Sequence, residues 1–133
     1  MSSTRPTSLV LDIPGEDLGA HLLDRAYIEE LATHLGAELA TELLADGMIA
    51  VSDRLARLAA NQDASLQEVA RMAHDLTGAG GQIGLHALCA AARRLEHLAL
   101  SQRVAELPGA MGQVLSLGTA SIDALGLRLA GDH

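Results

Sequence analysis

The sequence predicts an all-α domain: an antiparallel up-down-up-down four-helix bundle with a short extra helix at its N-terminal end. Three observations predict it. The chain is 49% hydrophobic with one Tyr and neither Phe nor Trp, so its core is built from Leu, Ala, Val and Ile, a composition that suits packed helices. Four long segments repeat apolar residues at helical intervals. The breaks between them are short and rich in Gly, Asn, Asp and Pro, and short connections make sequence neighbours antiparallel. A chain of 133 residues fits one domain, which at this size buries somewhat over ~60% of the surface its unfolded chain exposes.

Residues 1–20 hold Pro6 and Pro14 among Ser, Thr and Gly and show no sustained period, so they are expected to form a flexible N-terminal segment, with Val10, Leu11 and Ile13 resting on the bundle. The bundle domain is then residues 21–133. Asp24 can cap a short first helix striped by Ile28, Leu31 and Leu35 and closed by Gly36. A longer helix follows from about Ala37 to Ala60, with Leu39, Leu43, Met48, Val51, Leu55 and Leu58 as its core face. Its charged residues, Glu38, Glu42, Asp46, Arg54 and Arg57, form a solvated face. Gly47 within it either admits a close neighbour or marks a bend. Asn61-Gln62-Asp63 breaks the pattern, and Ser65-Leu66-Gln67-Glu68 matches a capping box that starts the third helix, with Asp63 as an alternative cap. That helix is expected to stop among Gly78, Gly80, Gly81 and Gly84. A fourth helix, about Leu85 to Gln102, buries Leu85, Leu88, Ala92, Leu95 and Ala99. Pro108 suits the first turn of the last helix, whose core face is Met111, Leu115, Gly118, Ile122, Leu125 and Leu129.

The stretch Arg71 to Gly84 is the one whose residues suggest chemistry. At roughly 100° per residue, Leu66, Val69, Ala73, Leu76 and Gly80 fall within an arc of about 80°, and His74 lies about 120° from its middle. Its neighbours on that side are Gln67, Arg71 and Gly78. Gly costs about 1 kcal/mol relative to Ala inside a helix, and a gap through which another molecule approaches the ring is one reason for Gly78. A lone His on a helix is more often a solvated residue with no chemistry. The glycines do not form a phosphate-cradling loop of the strand-to-helix kind, which needs a preceding strand and a Gly-Lys-Ser or Gly-Lys-Thr sequence.

Ala73-His74-Asp75-Leu76-Thr77-Gly78, followed at their present spacings by Gly84, Leu88 and Leu95-Glu96, resembles the histidine-containing phosphotransfer (HPt) domain family of bacterial phosphorelays. In that family a His is followed by Leu two residues on, Gly four on and a second Gly ten on. The resemblance extends from Leu23-Asp24 through the later helices, over about residues 22–130. It implies a protein that accepts a phosphoryl group on His74 and passes it to or from the Asp of a receiver domain. The receiver supplies that Asp and Mg²⁺, a sensor or hybrid histidine kinase stands upstream, and the protein is no stand-alone enzyme. Glu96 sits where the family often has Glu or Gln near the reactive helix, so it either bonds across to His74 or is a rim carboxylate. One departure is clear: the family usually carries Lys three residues after the His, where this chain has Thr77. All nine basic residues of this chain are Arg. Arg71 is the candidate replacement, so the expected phosphoryl environment and docking face is Gln67, Arg71, Thr77, Gly78 and Glu96.

A formal charge of −8 and the lack of aromatic platforms argue against a nucleic-acid partner. Cys89 is alone, so no disulfide forms within the chain and a reducing compartment is expected; as a residue it reads as a small apolar side chain on a helix. The run Leu9-Val10-Leu11 is too short for a signal peptide, and no apolar run reaches the ~18 residues that span a bilayer. The expectation is a cytoplasmic monomer without membrane contact, metal or cofactor of its own. Two rivals share the helical bundle. The dimeric phosphoacceptor region of a histidine kinase usually has a Pro about five residues after its His, where this chain has Ala79. A di-iron bundle needs Glu-x-x-His on two helices, which occurs nowhere here, although His21, His34, His74, His86 and His97 make a metal screen worthwhile. A third reading is an interaction-only module in which His74 is incidental.

Overall fold

The computed structural model describes residues 22–131, so the N-terminal segment 1–20, with Val10, Leu11 and Ile13, lies outside the described residues. Five α-helices and no strand occur among the described residues: α1 Arg25–Leu35, α2 Ala37–Ala60, α3 Leu66–Gln82, α4 His86–Leu100 and α5 Leu107–Gly131. A single 3₁₀ turn, Val104–Glu106, leads into α5. α2 packs on α3, α3 on α4, α4 on α5, and α5 back on α2, while α1 packs on α2. The last four helices thus close a ring around one core.

Local chemistry sets the helix ends. The Asp24 carboxylate accepts from the Tyr27 backbone N–H, and the Ser65 hydroxyl accepts from the Glu68 N–H, each satisfying a first-turn donor that has no partner within its helix. Gly36 joins α1 to α2 at φ +87°, and Gly84 turns α3 into α4 at φ +74°, backbone that a side-chain-bearing residue adopts only under strain. Two bonds fasten α1 to the α3–α4 turn: the Asp24 N–H donates to the Gly84 carbonyl at 2.8 Å and the Tyr27 hydroxyl donates to the Gln82 carbonyl at 3.0 Å. α3 continues helically through Gly78, Gly80 and Gly81 and stops at Gln82.

The core is aliphatic. Val69, Ala73, Leu76 and Gly80 of α3 are buried, as are Leu85 and, from α4, Leu88, Ala92, Leu95 and Ala99. Val51, Leu55 and Leu58 of α2 face them. Gly47 is a close-approach site: a Cβ there would stand 2.2 Å from Ile83 Cγ2.

Two stretches differ from the sequence expectation. In the first half of α2, Leu39 and Leu43 are 52% and 42% exposed, and Ala40 and Leu44 are buried instead. In α5, Leu115, Ile122 and Leu129 are only half-buried, while Val114 and Ser121 are fully buried. Both helices carry apolar residues on neighbouring faces, so periodicity permits two phases. Contact with the adjoining helices selects the one whose small residues fit, with Gly118 set against Leu55. By length and overall composition Val104–Gly131 is also apolar enough to cross a membrane, although Gln113, Ser116, Thr119, Ser121 and Asp123 interrupt any continuous apolar run. Met111, Val114 and Leu125 of this helix belong to the aliphatic core.

Candidate functional site

The buried stripe of α3 fixes the rotation of that helix, and His74 therefore stands clear of the core with 74% of its side chain exposed. Its Nδ1 lies 3.2 Å from Glu96 Oε2 on α4. That contact sets a carboxylate oxygen against Nδ1, the arrangement in which an Nδ1 proton would face Glu96. Glu96 is itself 27% exposed; it is held on the flank of α4 while its carboxylate reaches the ring. Nε2, the other ring nitrogen, lies on the side of the ring away from this contact.

The α3–α4 register that brings these two residues together is set one turn further along α3. The Cys89 thiol donates to the Thr77 carbonyl at 3.3 Å, and a Cβ on Gly80 would come within 3.2 Å of the Cys89 sulfur. Burial pushes the Cys89 thiol above its ordinary value, an effect that the neighbouring Arg93 guanidinium partly offsets. The Thr77 hydroxyl donates back to the Ala73 carbonyl at 3.0 Å, so it is occupied within its own helix. Around Gly78 the surface is open, with no atom within 4 Å of where a Cβ would stand. Gln67 and Arg71 are exposed on the same helix, and the Arg71 guanidinium donates to Glu68 Oε1 at 2.5 Å.

Of the residues singled out in the sequence, the structure joins His74 to Glu96 and leaves Gly78 open, while Arg71 and Thr77 make contacts within α3. Periodicity gave no sign of two participants, Cys89 as the tie between α3 and α4 and Arg93 beside it. The tie joins residues twelve apart across a turn, a pairing that emerges only once the helix-to-helix register is known. Among the described residues no three His, Cys, Asp or Glu side chains converge as metal ligands do.

No curated protein and no solved structure matches the chain. The family model for the Hpt domain matches residues 23–125, which takes in α1 to α4 and most of α5. An exposed histidine oriented from the adjacent helix of an all-helical domain agrees with that match: the chain belongs to the Hpt domain family, histidine phosphotransfer modules that work with kinases and receiver domains in phosphorelays and are not stand-alone enzymes.

Proposed function

We propose that His74 is the phosphoryl acceptor of this protein and exchanges the group with the Asp of a receiver domain. The observation that carries the reading is the exposed ring with Nδ1 engaged by Glu96 at 3.2 Å. In the forward step the Nε2 lone pair forms the N–P bond as the P–O bond of the receiver's acyl phosphate breaks, and the aspartate leaves as its carboxylate. The ring then carries a positive charge with its proton still on Nδ1, and the Glu96 carboxylate stabilises that charge by a charge-assisted hydrogen bond. Reversal returns the group to the receiver. The Mg²⁺ that offsets charge on the transferring group comes with the receiver.

The docking face is the exposed side of α3 around His74, with Gln67 and Arg71 toward its N-terminal end and the open surface at Gly78 toward the other. A partner backbone can approach the ring over Gly78 because no side chain fills the space. Short connections between α2, α3, α4 and α5 support an up-down-up-down course. Because these helices close one core within the chain, no second copy is needed to complete it, which supports a monomer and disfavours the dimeric kinase-type bundle. A cytoplasmic setting, with a sensor or hybrid kinase upstream, follows from the same reading.

The test is incubation with a phosphorylated receiver domain. Wild type acquires an acid-labile, alkali-stable label, as a phosphoramidate is, and His74→Gln acquires none while keeping the helical circular dichroism of wild type. Undiminished labelling of His74→Gln would place the acceptor elsewhere.

A further inference from the structure

A phosphoryl group on His74 brings about two negative charges to a ring that already has the Glu96 carboxylate 3.2 Å from its other nitrogen, on a chain of net charge −8. That concentration of negative charge calls for a local cation. Arg71 is poorly placed to be it. It lies about 60° further around α3 than His74, away from α4, and its guanidinium is held by Glu68.

α4 offers a different cation. Two contacts set its level against α3: His74 with Glu96 at 3.2 Å, and the Thr77 carbonyl with the Cys89 thiol at 3.3 Å. Arg93 lies between them on α4, one turn after Cys89 and one turn before Glu96, so its backbone stands level with the His74–Thr77 turn. Residues three and four apart share a helix flank, so Arg93 rises from the flank that carries Cys89 and Glu96, on its solvent side. Its charge is felt at the Cys89 thiol, and it lines a small cleft with Asp24, Tyr27, Gly81, His86 and Cys89 at the α3–α4 turn, one to two turns from His74. Arg93 is exposed, and no carboxylate among the described residues pairs with it, whereas Arg94 and Arg103 both pair with Glu106.

Building on the phosphoacceptor reading, we infer that Arg93 is the cation that binds the phosphoryl group on His74, reaching across the α3–α4 groove from the helix opposite. A guanidinium presents paired N–H donors that match two phosphoryl oxygens, so it serves this role without a Lys on α3.

The experiment compares wild type, Arg93→Gln, Arg93→Lys and Arg71→Ala in transfer from one phosphorylated receiver domain, at low and at moderate salt. Arg93→Gln is expected to lose about five- to tenfold in transfer rate and in phosphorylated fraction at low salt, with the loss shrinking as salt screens the charge. Arg93→Lys retains most of the wild-type fraction, and Arg71→Ala changes it by less than about twofold, as expected for a weak exposed ion pair. Equal labelling of wild type and Arg93→Gln, or a loss in Arg93→Gln that salt leaves undiminished, overturns the assignment of Arg93. Failure of wild type itself to take label on His74 is a separate outcome, which removes the phosphoacceptor reading and this inference with it.

Discussion

The α3–α4 pair and the α2–α5 pair of the same bundle solve the packing problem in different ways. α3 is amphipathic: one apolar arc is buried, and the opposite side carries Gln67, Arg71, His74 and Asp75 in the open. Only one rotation buries the arc, so the outward placement of His74 is a consequence of the core residues and not of His74 itself. α5 is apolar on most of its surface and has no such preference. Its rotation is chosen by fit, with Gly118 pressed against Leu55 of α2, and the corresponding device on α2 is Gly47 against Ile83. One half is oriented by polarity and the other by the shape of small residues, and His74, the proposed phosphoacceptor, sits on the half oriented by polarity.

That difference is open to attack by substitution. The largest effect is expected at Gly118, where a Cβ would come within 2.6 Å of both Leu55 methyls. Gly118→Val should destabilise the domain by about 2–3 kcal/mol through overpacking, seen as a lower urea midpoint at unchanged slope. Gly47→Ala should cost less, about 1–2 kcal/mol, since the clash with buried Ile83 is partly offset by better helix propensity. Gly78 on the polar half should behave oppositely. With no atom within 4 Å of its Cβ position, Gly78→Ala should stabilise α3 by up to about 1 kcal/mol yet slow transfer from a receiver, if the open surface is where the partner approaches. A more stable variant with unchanged transfer would mean that the opening serves no partner. At Cys89 the folded-state thiol is raised by burial from its ordinary value of 9.0. Its contribution to stability is therefore fully present below that pH and is lost as pH rises through the raised value. Urea midpoints of Cys89→Ala should fall less steeply than those of wild type above about pH 9. The smallest effect belongs to Leu39→Gln. An exposed α2 leucine should tolerate it within about 0.5 kcal/mol, whereas the phase expected from periodicity alone would make this substitution severe.

The legible part of the molecule follows the same division. The caps at Asp24 and Ser65, the extents of α2 and α3, the buried stripes of α3 and α4 and the exposure of His74 could all be reasoned from residue order, because polarity and capping chemistry act over a turn or two of helix. The phases of early α2 and of α5 could not. Leu39 and Ala40, or Leu43 and Leu44, satisfy the same spacing, and the decision lies in the shape of helices distant in sequence. At the site, the sequence offered Glu96 as a partner of His74 or a rim carboxylate and pointed to Arg71 as the local cation. The interhelical register that sets Glu96 against the ring depends on Gly80 meeting the Cys89 sulfur at close range, a contact between two helices that no single-helix pattern contains.

The proposed transfer distinguishes the two ring nitrogens of His74. With Nδ1 facing Glu96 at 3.2 Å, the proposed function puts the N–P bond on Nε2. Long-range ¹H–¹⁵N correlation spectra of uniformly labelled protein, recorded before and after phosphorylation by a receiver domain, read this directly from the two His74 ring nitrogens. The predicted result is a proton on Nδ1 before transfer and an N–P bond at His74 Nε2 after it. A bond at Nδ1, or phosphorylation of any other residue, would contradict the account.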